Sequence, residues 1–475
     1  MSIKNTAVLN NPLCYAYLLS FLYWGYLLSS SQMIIAYDSI NYEMMGQLLA
    51  RGHWVEYFKN GPNREPLYSL VISMTMRLSE VCGISYQIIL KFVQVVILFL
   101  TQGLTLRLLR KIHVHPHIEA VTILYIGISP ALVNSAFSMY SEIMTYPFIL
   151  GVILLSASAW QMLGKENNMR RIPVYGLALA VFFILLTLTK AIFEAIFPIF
   201  LFPFFYLAIR WLIKKDKKKL IKTAGFLLLT ILVYYAAILG YKSLNEKYNG
   251  NFVLTDRGAW PLYGNTSRRM DNLTTRKFLT ALAYMPGEGL CRKLFKEKEC
   301  WYWSYRESDN RGMTKLNELT QLGLSGEQIN RELVTLSMKE ILKNPFQYLF
   351  FMLVETLKMF FWESTQIGWV VYPPWLTQLF GLAYFKNLLR LGLFIVSLFS
   401  FLLITVQLLK KKRSRPSEEK VVLYFVIFLI ILFIGVHSFF FTLTRYSLPI
   451  APLFLILIAT AFHNILSIKN PGRTG

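Results

Sequence analysis

Long stretches without charge constrain this chain more than any other feature. Segment 421–441, "VVLYFVIFLIILFIGVHSFFF", carries no Asp, Glu, Lys or Arg. Runs of about 20 such residues cross a bilayer as helices. Comparable runs fall near 12–35, 86–107, 118–135, 140–162, 173–190, 194–213, 222–242, 386–409, 420–438 and 447–467. Only 16% of the 475 residues are charged, whereas a soluble domain carries about a quarter. The expected fold class is therefore an all-α polytopic membrane protein, with about 10 transmembrane helices (range roughly 9 to 12).

A formal net charge of +23 would suggest nucleic acid in a soluble protein. Here the excess lies largely in short connections: "RLLRKIHVHPH" (107–117), "GKENNMRR" (164–171), "KKDKKK" (214–219) and "KKKRSRPSEEK" (410–420). Each follows an even-numbered span, so the positive-inside bias places them and both termini in the cytoplasm. The charge reads as topology, with no nucleic-acid partner. The first apolar run is too long for a signal-peptide core and is read as an uncleaved span.

The organisation expected is a transmembrane module over 1–242, a loop subdomain over 243–345, and an interfacial helix with C-terminal spans over 346–475. Segment 344–363 is apolar but contains Glu355 and Lys358. If it crossed, the 410–420 cluster would face outward, so it is placed at the outer interface. Cys291 and Cys300 share the long loop and can pair or stay free. His113, His115 and His117 alternate on the cytoplasmic side and read as loop residues. Asn265 and Asn272 sit in formal glycosylation sequons. Arg257, Arg268 and Arg269 in that loop read as a solvated basic surface, the other reading being contacts to anionic headgroups or to an acidic acceptor.

The first outer loop, 36–85, carries the sharpest pattern. "AYDSINYEMMGQLLARG" (36–52) places Asp38 at the mouth of the first span, and "NREPLYSL" (63–70) places Arg64 and Glu65 against a proline. Apolar residues at helical spacing after Asp38 predict one juxtamembrane helix, and Pro66 predicts the first turn of another. Asp38 can be a plain helix N-cap. Arg64, Lys190 and Arg445 fall at outer ends of spans, where each can bind an anion or neutralise Glu65, Glu142 or Glu194.

These stretches, with "SPALVNSAFSMYSEIMTYPFIL" (129–150), "LTLTKAIFEAIFP" (186–198), "NPFQYL" (344–349) and "RYSLPIAPLFLIL" (445–457), resemble the bacterial GT-C glycosyltransferases. That family is similar to the dolichyl-phosphate-mannose protein mannosyltransferases and includes the lipid A aminoarabinose transferases. The resemblance implies a GT-C-type bundle in the bacterial cytoplasmic membrane with an extracytoplasmic site. The implied reaction moves a sugar from a polyprenyl-phosphate donor to a lipid, glycan or protein acceptor, with inversion. Asp38 is then the base, and Tyr42, Arg64, Glu65, Glu142, Lys190, Arg445 and Tyr446 the implied substrate-binding set. Some relatives have two adjacent acids where this chain has Asp38 followed by Ser39, so no cofactor and no catalytic metal are expected. The rival classes are a lipid or oligosaccharide flippase or transporter, and an O-antigen polymerase or ligase using a lipid diphosphate. A transporter would more often show repeated halves around a midplane site.

Overall fold

The computed structural model describes residues 11–61, 64–165, 171–255, 258–365, 369–410 and 417–469. The chain opens with helix α1 (Pro12–Ser30), the short strand β1 (Gln32–Met33), and helices α2 (Asp38–Ala50), α3 (Trp54–Lys59) and α4 (Pro66–Cys82). Then come α5 (Tyr86–Lys111), α6 (Pro116–Ile128), α7 (Pro130–Phe137), α8 (Glu142–Leu163), α9 (Ile172–Thr189), α10 (Ile192–Phe200), α11 (Phe202–Ile213) and α12 (Lys217–Asn249). The outer loop folds into α13 (Ala259–Met270), α14 (Thr275–Tyr284), α15 (Glu288–Leu294), α16 (Glu297–Trp301), α17 (Tyr305–Gln321) and α18 (Gly326–Lys343). The rest comprises α19 (Pro345–Thr356), a 3-10 turn at Leu357–Phe360, strand β2 (Val370–Val371), α20 (Pro374–Gly381), α21 (Ala383–Lys410), α22 (Glu418–Phe440), a second 3-10 turn at Thr444–Ile450, and α23 (Ala451–Lys469).

Among the described residues, eight helices are long and apolar enough to cross a membrane, or nine if α6 and α7, bent by 45° at their junction, form one span. The protein is a polytopic all-α membrane protein. Helix α1, expected as the first span, falls outside that set because its tyrosines and serines dilute its leucines. It still packs in the bundle, where the Trp24 indole donates to the Gly127 carbonyl at 2.8 Å. Helix α8 is buried on nearly every face, which marks it as the central helix.

Local sequence explains the starts of these elements. Asn11, Ser129, Asp216, Ser304 and Ser325 each accept a backbone N–H of the turn that follows, satisfying donors that a helix start leaves open. The two predicted juxtamembrane helices are present as α2 and α4. Asp38 begins α2 without capping it. Ser39, inside the first turn, accepts from the Ala36 N–H at 2.7 Å and so ties the preceding turn to the helix.

Strands β1 and β2 pair antiparallel, Gln32 with Val371 and Met33 with Val370. Tyr37 then stacks on Trp369 with ring centroids 5.0 Å apart, at a backbone φ of 54°. A tyrosine at positive φ is a constrained turn. It delivers Asp38 to one fixed place at the end of the bundle.

Segment 344–363 holds no helix long enough to be a candidate span. Its helix has only 12 residues, about 18 Å at the α-helical rise. Glu355 and Lys358, read as interfacial charges, are in fact buried, and Glu355 receives Arg268 and Arg269. Those two arginines are therefore an internal ionic lock and not a solvated surface. Arg257 lies outside the described residues. Asn265 is fully buried and its amide donates to the Phe440 carbonyl, so this sequon is closed to a glycan. In the loop, α13 crosses α17 backbone to backbone. A Cβ on Gly264 would sit 2.0 Å from the Ser308 carbonyl, and one on Gly312 2.4 Å from that of Trp260. Cys291 and Cys300 are joined as a disulfide.

Candidate active site

Three segments far apart in sequence meet at Asp38. Arg64, just before α4, donates from Nη2 to one carboxylate oxygen, and Arg445, in the turn before α23, donates from Nη2 to the other at 2.5 Å. The carboxylate retains about a quarter of its surface and Arg445 somewhat more. An ionised carboxylate offers about four acceptor positions, enough to serve both guanidiniums. The buried Nε atoms of Arg64 and Arg445 have no hydrogen-bond partner. The site thus holds unused donors beside a partly open carboxylate.

Each guanidinium is backed by aromatic rings. Arg64 lies 5.2 Å from the Tyr42 ring centroid. Arg445 lies 5.4 Å from Tyr140 and 5.8 Å from Tyr446. Electron-rich ring faces favour a cation and fix its plane. Burial works against the charge on Arg64, but Tyr42, Asp38 and Glu65 outweigh it, and the group is held above its ordinary value. Burial pushes the Tyr42 phenol up, so it stays protonated.

Tyr42 is 2% exposed, and its hydroxyl pairs with Ser141 Oγ at 2.9 Å. It touches Arg64 from inside the fold rather than facing the opening. Glu65 accepts the Ala191 N–H at 2.9 Å, tying the first loop to the start of α10. Lys190, the neighbour of Ala191, reaches Glu142 at 3.1 Å. Burial opposes the Lys190 charge, and Glu142 outweighs it, so the ammonium is held above its usual value. The second Glu142 oxygen is buried without a partner. Glu194 turns instead to Lys242.

Sequence reasoning missed several members. Tyr140 and Ser141 stand immediately before Glu142 in the quoted "SMYSEIM" run, and a Tyr-Ser pair at the mouth of a span was the available signal. His437 on α22 lies 5.2 Å, ring to ring, from Tyr446. An ionisable residue within a span is a functional candidate by default. Glu363 was also overlooked. It accepts from Tyr125, Ser129, the Ala131 N–H and the Ser364 N–H, and so pins the α6–α7 break that carries the chain to Tyr140.

His115, the N-cap of α6, stacks at 5.3 Å on His117, which lies in the first turn of that helix and not in the loop expected for it. Among the described residues, no group of three His, Cys, Asp or Glu side chains is arranged to hold a metal ion.

No protein-family model matches the chain, and no curated protein matches it. Solved structures that align with it include the archaeal oligosaccharyltransferase AglB from Archaeoglobus fulgidus in complex with an inhibitory peptide and a dolichol-phosphate. That alignment has a TM-score of 0.48 at 14% identity, over 97% of this chain and 51% of that one. Another is a crystal structure of the Archaeoglobus fulgidus oligosaccharyltransferase in complex with zinc and sulfate, at TM-score 0.49 and 14% identity, over 97% of this chain and 49% of that one. The chain spans about half the length of these proteins.

Proposed function

We propose that this chain is a GT-C-type glycosyltransferase that moves a sugar from a polyprenyl-phosphate donor to an acceptor hydroxyl, with inversion. The observation that carries this reading is the partly open Asp38 carboxylate held between Arg64 and Arg445. A base and a phosphate-binding pair stand within one side-chain length of each other.

The acceptor oxygen forms a bond to the anomeric carbon while the bond from that carbon to the phosphate oxygen breaks, its electron pair leaving with the polyprenyl phosphate. The acceptor proton passes to Asp38. Arg64 and Arg445 receive the charge that develops on the phosphate. A phosphate bound here competes with Asp38 for the N–H donors of the same two guanidiniums. Glu142 is engaged by Lys190 and Glu65 by the α10 backbone, so neither is placed as a second nucleophilic carboxylate. A single catalytic carboxylate suits single-step inversion.

The site is assigned to the extracytoplasmic face of a bacterial cytoplasmic membrane, both termini being cytoplasmic. The disulfide supports this, since such bonds persist in oxidising compartments and the loop carrying it is locked to the Phe440 end of α22 near Arg445. No metal takes part in the proposed step.

The test is sugar transfer in membranes containing wild type, Asp38→Asn or Arg445→Ala, with a panel of polyprenyl-phosphate sugars and chelator added. Transfer by wild type that survives chelation and disappears in folded Asp38→Asn supports the reading. Full activity in Asp38→Asn sinks Asp38 as the base. Lipid movement across the bilayer without transfer points to a flippase.

A further inference from the structure

Buried and half-buried arginines in this fold reach carboxylates: Arg64 and Arg445 reach Asp38, and Arg268 and Arg269 reach Glu355. Arg390 departs from the pattern. It lies two turns into α21, with its guanidinium 5.9 Å from the Phe361 ring and its Nε buried without a partner. Among the described residues it makes no ion pair. Its free edge faces the loop at Gly287, where a Cβ would stand 3.5 Å from Nη1 and 3.8 Å from Nη2. Lys386 lies one turn earlier on the same helix, which adds a second positive charge.

Beyond this basic pair, α21 is mostly uncovered. Leu391 is 47% exposed, Ile395 61% and Leu402 53%, and the buried residues of the helix are Ser397, Ser400 and Ile404. In a membrane, acyl chains cover such a face. Phe361 stacks on Phe394 at 4.1 Å, which fixes the floor under the guanidinium. The chain runs from Lys410 back through α22 to Phe440, so Arg390 lies at the same end of the bundle as Asp38. Its neighbours Phe361, Gly287 and Lys386 share no residue with the Asp38 cluster.

We propose that Arg390 and Lys386 form a binding site for the phosphate headgroup of an anionic phospholipid, whose acyl chains lie along the exposed face of α21. The planar guanidinium matches a phosphate with paired donors, and basic side chains at a membrane surface attract anionic lipid. The apolar track leading away from Arg390 favours a lipid over free phosphate. The site needs no part of the proposed transfer reaction, so its test is independent of that reading.

Native mass spectrometry of the purified full chain, titrated with phosphatidylglycerol, phosphatidylcholine, polyprenyl monophosphate or inorganic phosphate, tests this. Wild type is expected to retain phosphatidylglycerol about tenfold more than Arg390→Gln does, with partial recovery in Arg390→Lys. Arg292→Ala, an exposed loop arginine paired with Glu288 and Glu297, is the folded control and should match wild type. Equal retention in wild type and Arg390→Gln overturns the site. Competition by inorganic phosphate, or preference for polyprenyl monophosphate over phosphatidylglycerol, overturns the assignment to phospholipid.

Discussion

Arg445 donates to Asp38 at 2.5 Å across 407 residues of chain. The contact closes the bundle on itself, since one partner follows α1 and the other precedes α23. Arg64 holds the opposite oxygen, so neutralising Asp38 strands two cations at once. Asp38→Asn should therefore lower melting temperature as well as turnover. Paired with Arg445→Gln, the two should show a coupling of about 1–3 kcal/mol in thermal unfolding. Turnover of Asp38→Asn should fall about 100-fold or more. Strict additivity of the two melting shifts would show that the ion pair carries no structural weight.

Tyr42 is expected to act through Arg64. Its hydroxyl meets Ser141 and its ring backs the guanidinium. Tyr42→Phe keeps the ring and loses one buried hydrogen bond, a cost of about 1 kcal/mol. Donor KM should stay within about threefold in Tyr42→Phe, whereas Tyr42→Ala, which also removes the ring, should raise it about tenfold. A large KM effect from Tyr42→Phe would mean that the hydroxyl touches substrate.

The helical membrane class was legible because uncharged runs of span length have one physical solution, and Asp38, Arg64 and Arg445 were legible as candidates because they fall at outer ends of spans within the stretches that carry the family resemblance. Their mutual contact was not. It depends on the Tyr37 turn and the β1–β2 pairing, two short features set by tertiary packing and not by local periodicity. The same limit explains Arg268 and Arg269. Two adjacent arginines in a polar loop read as surface, and only the fold brings Glu355 to them. His437 and Glu363 lay inside apolar surroundings where each was a visible anomaly, yet nothing nearby in sequence named a partner.

The buried lock at Glu355 makes an opposite pair of predictions. Arg268, Arg269 and Lys358 converge on this one carboxylate, and Thr442 donates to it as well. Glu355→Gln leaves three cations without a counter-charge and should cost about 3–5 kcal/mol. Burial lowers the Lys358 ammonium to about 8, against the pull of Glu355. Below pH 8 lysine is protonated in folded and unfolded chains alike, and the burial penalty is fully present. As pH rises from about 8 towards the ordinary lysine value, the unfolded chain binds more protons than the folded one, so stability climbs. Thermal unfolding between pH 7 and 10 should show that rise in wild type. It should be absent in Lys358→Met, which is expected to be at least as stable as wild type at pH 7. A flat wild-type profile would contradict the assignment.

Glu363 separates a structural acid from a reactive one. One of its oxygens accepts the Tyr125 and Ser129 hydroxyls at 2.6 Å each, and the other accepts the Ala131 N–H at 2.8 Å and the Ser364 N–H at 3.1 Å. Burial raises the carboxyl and these four donors pull it back, leaving it above its ordinary value. A glutamine satisfies the same geometry: its carbonyl accepts both backbone N–H groups and its amide donates to the hydroxyl oxygens. Glu363→Gln should thus melt within about 1 kcal/mol of wild type and keep its transfer rate. Glu363→Ala leaves two backbone donors buried without acceptors and should cost about 2–4 kcal/mol. It should also weaken Arg445 function, because α7 then loses the anchor that sets Tyr140. Loss of activity in a stably folded Glu363→Gln would instead make its negative charge part of the chemistry.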